Sequence, residues 1–292
     1  LHLCDRRQRQ MCIRDREIEP EKVALNPLDE ELLKKAMAIV EKNMDNVSFS
    51  TDDFAREMCM SRSNLHLKMK ALTGESTNDF IRKMRFKQAC KLLKEGRPVS
   101  RLMNNAGILT TPVRKTEDGL ETIVSVNYVA PYMLTRQLLP LMQPGCRIVN
   151  TVSCTYAIGR IEPDFFEKGR NGRFFRIPVY SNTKLALLLF TQEFAERLQD
   201  KDITINASDP GIVSTNMITM QAWFDPLTDI LFRPFIKTPA QGAATAIHLA
   251  LSDEAKDRNG CCYANCKKRN VSERIRHHAQ QKQLWDDTEI LL

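Results

Sequence analysis

Apolar positions in the first third of the chain fall at helical spacing. Leu32, Leu33, Ala36, Ile39, Val40 and Met44 recur every three or four residues, which predicts one amphipathic helix. Ser50 or Thr51 then caps a second helix, Thr51 to Met58, with Asp52 and Asp53 in the first turn where the helix dipole favours acids. After a break at Cys59-Met60, Ser61 caps a third helix with Leu65, Met69 and Leu72 on one face, and Thr73-Gly74 ends it. Two short helices joined by a tight turn form a helix-turn-helix. A further helix is predicted over Asn78–Glu95, with Phe80, Ile81, Met84, Ala89, Leu92 and Leu93 inward and basic residues outward.

From Leu102 the pattern changes. Strand-like apolar runs, Arg147–Val152 and Ile203–Ala207, alternate with helical segments at Leu120–Met142, Tyr180–Leu198 and Pro239–Leu251. Alternation of this kind implies parallel strands joined by crossover helices. The fold class expected is α/β, half of a doubly wound parallel sheet preceded by a small all-α helix-turn-helix region. Residues 1–16 show no period, and Cys, Asp and Arg recur there in a crude echo. They resemble a translated adaptor or cloning scar, the alternative being a disordered basic arm, and stand outside the fold argument.

A length of 292 residues allows one large α/β domain or two smaller ones. No apolar run approaches a membrane span, the longest being Leu185–Phe190. Nine cysteines form no C-x-x-C pair, and no secretion signal is apparent, so a reduced, cytoplasmic protein is expected. The net charge of +7 is concentrated: Arg56 to Arg97 holds eleven Lys and Arg against four Asp and Glu, and the remainder balances. Such a segment suits an anionic partner such as nucleic acid, or is a solvated helix face.

Two resemblances follow from motifs. The segment FAREMCMSRSNLHLKMKALTGESTNDFIRKMRFKQACKLL resembles the DNA-binding region of AraC-type transcription regulators, in the first of their two helix-turn-helix units and the helix after it. Ser-x-x-x-Leu, Leu-Thr-Gly, Phe-Ile and Arg-x-x-x-Ala-x-x-Leu-Leu occur in order, and the match stops near Ser100. The resemblance implies a truncated DNA-binding region over 17–100, with duplex DNA as partner through residues 61–70. Ser63, His66 and Leu67 would face base edges, and Arg62 and Lys70 phosphates. Leu67 stands where that family commonly has arginine, which weakens readout.

The second set is Asn104-Asn105-Ala106-Gly107 at a strand end, Asn127 in the following helix, Ser153 ending the next strand, Tyr180-x-x-x-Lys184 opening the helix after that, and Asp209-Pro210-Gly211-Ile212-Val213-Ser214-Thr215. In this order they resemble the short-chain dehydrogenases/reductases, over a truncated domain at 101–292. The resemblance implies a partial Rossmann-like sheet and an NAD(P)-dependent oxidoreductase acting on an alcohol or carbonyl. Residues four apart share a helix face, so the Lys184 ammonium can favour the Tyr180 phenolate, whose ordinary pKa of about 10 is high for neutral chemistry. Tyr180 would be the general acid/base, Ser153 would hold the substrate oxygen, and Asn127 would orient a relay water. NAD or NADP would be held by Asn105, Ala106, Gly107, Tyr180, Lys184, Pro210, Gly211, Ile212, Val213 and Thr215. RIVNTVS, SNTKLALLLF and QKQLWDDTEILL, with the polar insert Gly159–Pro178, resemble the retinol-dehydrogenase-like branch and imply a small hydrophobic alcohol or ketone substrate.

In that family a glycine-rich turn precedes the Asn-Asn-Ala-Gly element and cradles the cofactor pyrophosphate. Residues 1–100 contain only Gly74 and Gly96, neither in such a motif. The Asn104 strand is therefore expected at a sheet edge, beside uncovered apolar faces. Cys261-Cys262-x-x-x-Cys266 fits no zinc spacing and reads as a cysteine-rich last strand, so no metal is expected. His277-His278 reads as a solvated helix end. Three functions follow: an oxidoreductase lacking its cofactor motif, an AraC-type regulator, or a chimera joined near Ser100 with neither activity complete.

Overall fold

Side-chain caps set the helix starts in the first part of the chain. In the computed structural model, which describes residues 26–109, 114–162, 165–166, 176–213 and 237–292, the backbone contacts divide the chain between Arg97 and Pro98. In the first unit Asn26 caps α1 (Pro27–Lys42) by accepting from the Asp29 amide, with Pro27 in the first turn. Ser50 caps α2 (Thr51–Glu57) in a reciprocal box with Asp53. The turn passes through Cys59 at φ 57, and Ser61 caps α3 (Arg62–Thr73), which Gly74 ends at φ 75. Ser76 caps α4 (Thr77–Lys94).

Leu33, Phe54, Leu65, Met69 and Phe80 are fully buried in this unit's core, with the Phe54 and Phe80 rings stacked at 6.2 Å. Each such side chain contributes about 1.5–3 kcal/mol. One expectation fails here. Ala89 is exposed, and Leu92 and Leu93 are half-buried. Only the N-terminal half of α4, as far as Met84, meets apolar partners, so the later apolar positions have nothing to pack against in the core cluster.

The second unit is a five-stranded sheet in order β1 (Val99–Asn104), β2 (Met142–Thr151), β3 (Ile203–Asp209), β4 (Cys262–Ala264) and β5 (Lys267–Lys268). The first four strands are parallel, and β5 returns antiparallel. Alternation along β2 sends Ile148 to one face and Val149 to the other. On the Ile148 face lie α5, a helix that runs α (Thr122–Val124), π (Ser125–Val129) and α again (Ala130–Leu138), and α6 (Arg176–Arg197). On the Val149 face lies α7 (Pro239–Leu251). After the short α8 (Glu273–Arg276), α9 (Gln281–Leu291) returns to α6, where Trp285 stacks on Phe190 and Phe194 at 6.0 and 5.6 Å.

Among the described residues β1 forms the edge of the sheet, as expected, and Met103, Leu134, Ile247 and Leu251 are exposed on β1, α5 and α7. Several boundaries differ from expectation. The helix predicted over Leu120–Met142 starts at Thr122, because the Glu121 carboxylate accepts from the Ile123 and Val124 amides at 2.7 and 3.2 Å. It ends at Leu138, since Pro140 cannot continue it; a 3-10 turn covers Leu139–Leu141 and Met142 already belongs to β2. Conversely α6 begins at Arg176, so Tyr180 lies in its second turn rather than opening it. Cys262 lies in β4, and His278 is half-buried, with burial holding its imidazole below the ordinary range.

Candidate active site

The carboxyl ends of parallel strands are where an open α/β sheet gathers backbone turns and ligands. Three of the predicted elements meet there: Asn105-Ala106-Gly107 after β1, Ser153 after β2 and Pro210–Val213 after β3. The side chains of α5 and α6 close the site from one face.

Asn127 is fully buried in the π turn of α5, a local widening that recurs at functional sites. Its Oδ1 accepts from the Ile108 amide at 2.7 Å, and its Nδ2 donates to the Ile108 carbonyl at 2.9 Å and to Thr183 Oγ1 at 3.3 Å. Through these contacts it fixes the strand-end turn after Gly107 against α6.

Ser153 does not end a strand. It caps the 3-10 turn Cys154–Ile158, accepting from the Thr155 amide at 3.4 Å. Gly159 lets that turn approach α6: a Cβ there would lie 2.5 Å from the Ser181 carbonyl and 2.9 Å from Leu185 Cβ. The Lys184 ammonium is 2 % exposed, donates to the Thr151 carbonyl at 2.8 Å and sits 5.5 Å from the Tyr180 ring centre. Burial pushes it down to about 8.

Burial raises the Tyr180 phenol above its ordinary value, the Ser153 hydroxyl opposes that, and the Lys184 ammonium donates to the Thr151 carbonyl. The phenol is held in its acid form. A Cβ at Gly107 would lie 3.2 Å from Lys184 Nζ, so glycine there leaves room for the buried ammonium. Asn105 and Ala106 are exposed beside it, and Asn105 Oδ1 accepts from Thr151 Oγ1 at 3.0 Å. Pro210, Gly211 and Val213 are half-buried and Ile212 is exposed; Thr215 lies outside the described residues.

Two residues to which the sequence motifs assign no role hold the turn after β3. Asp209, buried at the end of β3, accepts from the Gly211 amide at 3.0 Å and pairs with Arg269 at 2.7 Å. Lys237 donates to the Pro210 carbonyl at 2.9 Å and to Asn265 at 2.6 Å, pinning the same turn. In the first unit Arg62, Ser63, Leu67 and Lys70 are exposed on α3, His66 is half-buried, and Arg62 pairs with Asp52 at 3.4 Å.

The residues at the strand ends suit the nicotinamide half of a dinucleotide: an exposed amide at Asn105, an ammonium, a phenol and an open glycine turn. Gly74 and Gly96 do not suit the pyrophosphate, because each follows a helix C-terminus, where carbonyls rather than amides point outward.

Residues 86–260 match the model of the family described as Enoyl-(Acyl carrier protein) reductase. Retinol dehydrogenase 12 of Mus musculus is 36% identical over 198 residues, covering 67% of this chain and 62% of its own length. Retinol dehydrogenase 14 of Homo sapiens is 36% identical over 209 residues, covering 69% of this chain and 61% of its own. The chain thus spans about three fifths of the length of these relatives. The crystal structure of an uncharacterised protein from Mycobacterium Paratuberculosis superposes with a TM-score of 0.53 at 26% identity, covering 66% of this chain and 67% of that one.

Proposed function

The chain belongs to the short-chain dehydrogenases/reductases, and from that premise we propose that residues 98–292 carry the catalytic wall of an NAD(P)-dependent oxidoreductase for a hydrophobic alcohol or carbonyl. The observation that carries the reading is the buried Lys184 ammonium, held by the Thr151 carbonyl at the strand ends and 5.5 Å from the Tyr180 ring centre. In carbonyl reduction the Tyr180 hydroxyl donates its proton to the carbonyl oxygen while the Ser153 hydroxyl donates a hydrogen bond to it. The nicotinamide supplies or accepts the hydride. Asn105, Lys184 and Pro210–Val213 would hold the nicotinamide ribose and ring. Asn127 keeps the turn after Gly107 in place through Ile108. The names of the retinol dehydrogenases support a retinoid-like substrate, an extended apolar alcohol or aldehyde. Titration of the full chain with NADH and NADPH up to millimolar, read by nicotinamide fluorescence, tests the reading. No change with either cofactor removes activity from this chain.

A second reading concerns the first unit. We infer an AraC-type DNA-binding role from the α2–turn–α3 arrangement, which leaves Arg62, Ser63, Leu67 and Lys70 exposed on one helix and His66 half-exposed beside them. Salt-dependent binding to duplex DNA, lost on Arg62→Ala with Lys70→Ala, supports it; no binding at low salt refutes it. The division at Arg97/Pro98 also supports a chimera joined near Ser100. A long read across the codons for residues 90–110 in source DNA tests the junction.

A further inference from the structure

Among the described residues the sheet ends at β1 with no strand beside it, and the helices flanking that strand bring apolar side chains to the same boundary. On one face α5 packs on β1 and β2, while α6 packs chiefly on β3, so α5 is the outer helix. It turns Tyr132 to Phe190 of α6 and Thr135 to Asn104 of β1. Leu134, about 200° around the helix from Tyr132, therefore points away from α6 and past the strand. On the other face α7 is apolar almost all round. Ala246 and Leu249 are buried against the sheet, and His248 lies on the β4 side, its ring 6.1 Å from that of Tyr263. Ala243 and Ile247 fall on the side away from β4 and are exposed. Met103 of β1, Leu134 and Ile247 are 43, 44 and 50 % exposed, a layered apolar face that soluble chains ordinarily cover.

The face is complementary to itself. A two-fold axis normal to the sheet sets β1 antiparallel to β1 of a second copy, α5 against α5 and α7 against α7, so each apolar layer meets its own kind. Side chains opposite one another across an antiparallel pair share a face of the sheet, so such an axis places one residue opposite itself. Centred on Leu102, the pairing spans Ser100–Asn104 and puts Arg101 opposite Met103 of the copy. Centred on Arg101, it would oppose like charges and run into the register shift between Val99 and Arg101. The Arg101 guanidinium donates to the Ala250 and Gly145 carbonyls at 2.6 and 3.2 Å, so its charge is drawn inward toward α7 and β2. The six residues of β1 run about 20 Å, and the helix layers stand about 10 Å above and below, so the face measures about 600 Å² on each copy. Two such faces reach about 1,200 Å², where specific interfaces begin.

We propose that the β1 edge is the interface of a symmetric homodimer, in which two copies join their sheets through β1–β1 pairing centred on Leu102, with Leu134 and Ile247 packing across the axis on either face. Antiparallel pairing sends the carboxyl ends of the two sheets in opposite directions, so the two strand-end sites lie at opposite ends of the joined sheet and neither covers the other.

Sedimentation equilibrium of the full chain, from micromolar to hundreds of micromolar, tests the interface. Wild type is expected to pass from one chain to two. Leu134→Glu and Ile247→Glu, one on each face, are each expected to raise the dissociation constant about tenfold or more, because symmetry installs each charge twice. Leu67→Glu in the first unit and Ile290→Glu on α9 replace equally exposed apolar side chains and are expected to change nothing. All four positions are exposed, and unchanged far-ultraviolet circular dichroism establishes that each variant folds. Met103→Cys, treated with a short bismaleimide and digested, is expected to give a peptide linked from 103 to 103 that wild type does not give. A chain that stays single at every concentration overturns the proposal, whether its edge is bare or held by some other partner. So does a dimer that Leu134→Glu and Ile247→Glu leave intact, or that Leu67→Glu or Ile290→Glu weakens as much. Species that grow beyond two with concentration mark open edge-to-edge association and overturn it as well.

Discussion

Replacing Lys184 by methionine separates its chemical value from its structural cost. The ammonium is 2 % exposed, and burial takes it from 10.5 to about 8. At about 1.4 kcal/mol per pH unit that is a penalty of about 3 kcal/mol while the group is charged in both states. Methionine has a similar length and no charge. Against the gain stands the hydrogen bond to the Thr151 carbonyl, worth about 1 kcal/mol. Lys184→Met is therefore expected to be more stable than wild type by about 2 kcal/mol at pH 7. The sign with pH follows from linkage. Between pH 8 and 10.5 the unfolded chain binds more protons at this site than the folded one, so the wild type recovers stability as pH rises through that window. Above it the variant is expected to be the less stable by about 1 kcal/mol. Urea denaturation followed by tryptophan fluorescence reads this directly, because both tryptophans, Trp223 and Trp285, lie in residues 98–292. Taking the difference between the two proteins at each pH cancels the buried tyrosines and cysteines, which titrate alike in both. A difference independent of pH from 7 to 10.5 would refute the argument that burial of the ammonium dominates.

Gly159→Ala drives a Cβ into the Ser181 carbonyl and Leu185, and is expected to destabilise the second unit by about 1–3 kcal/mol in the same denaturation assay. Met103→Lys places a charge on the free edge of the sheet, and light scattering against concentration is expected to show less self-association than wild type. Because Tyr180 is held in its acid form, alcohol oxidation is expected to gain rate as pH rises into the alkaline range, while carbonyl reduction keeps its proton donor throughout the neutral range; parallel pH profiles in the two directions check this.

Elements whose signal is local were legible. Ser50 and Ser61 cap α2 and α3 because a hydroxyl and an orphan amide three residues later need no distant partner. The apolar runs at Ile148-Val149 and Ile203–Ala207 read as buried parallel strands, and the four-residue spacing of Tyr180 and Lys184 put both on one face of α6. What escaped depends on contacts between distant segments. Nothing near Asp209 announces Arg269, and nothing near Lys184 shows that its ammonium turns to the Thr151 carbonyl. Helical period alone put Ala89 inward, whereas the partners on the other side decide whether an apolar face is covered. The π turn that carries Asn127 departs from the regular period on which helix prediction rests.

The most direct test of the catalytic assignment is reduction of a retinoid aldehyde by the full chain and by Tyr180→Phe, each with NADPH and with reduced nicotinamide mononucleotide, the fragment that ends before the pyrophosphate-linked adenosine. The account predicts turnover with both donors at comparable donor concentrations, since the strand ends suit the nicotinamide end, and a loss of about 10²- to 10⁴-fold with both in Tyr180→Phe. Turnover unchanged in Tyr180→Phe, or none in the wild type with either donor, would contradict it.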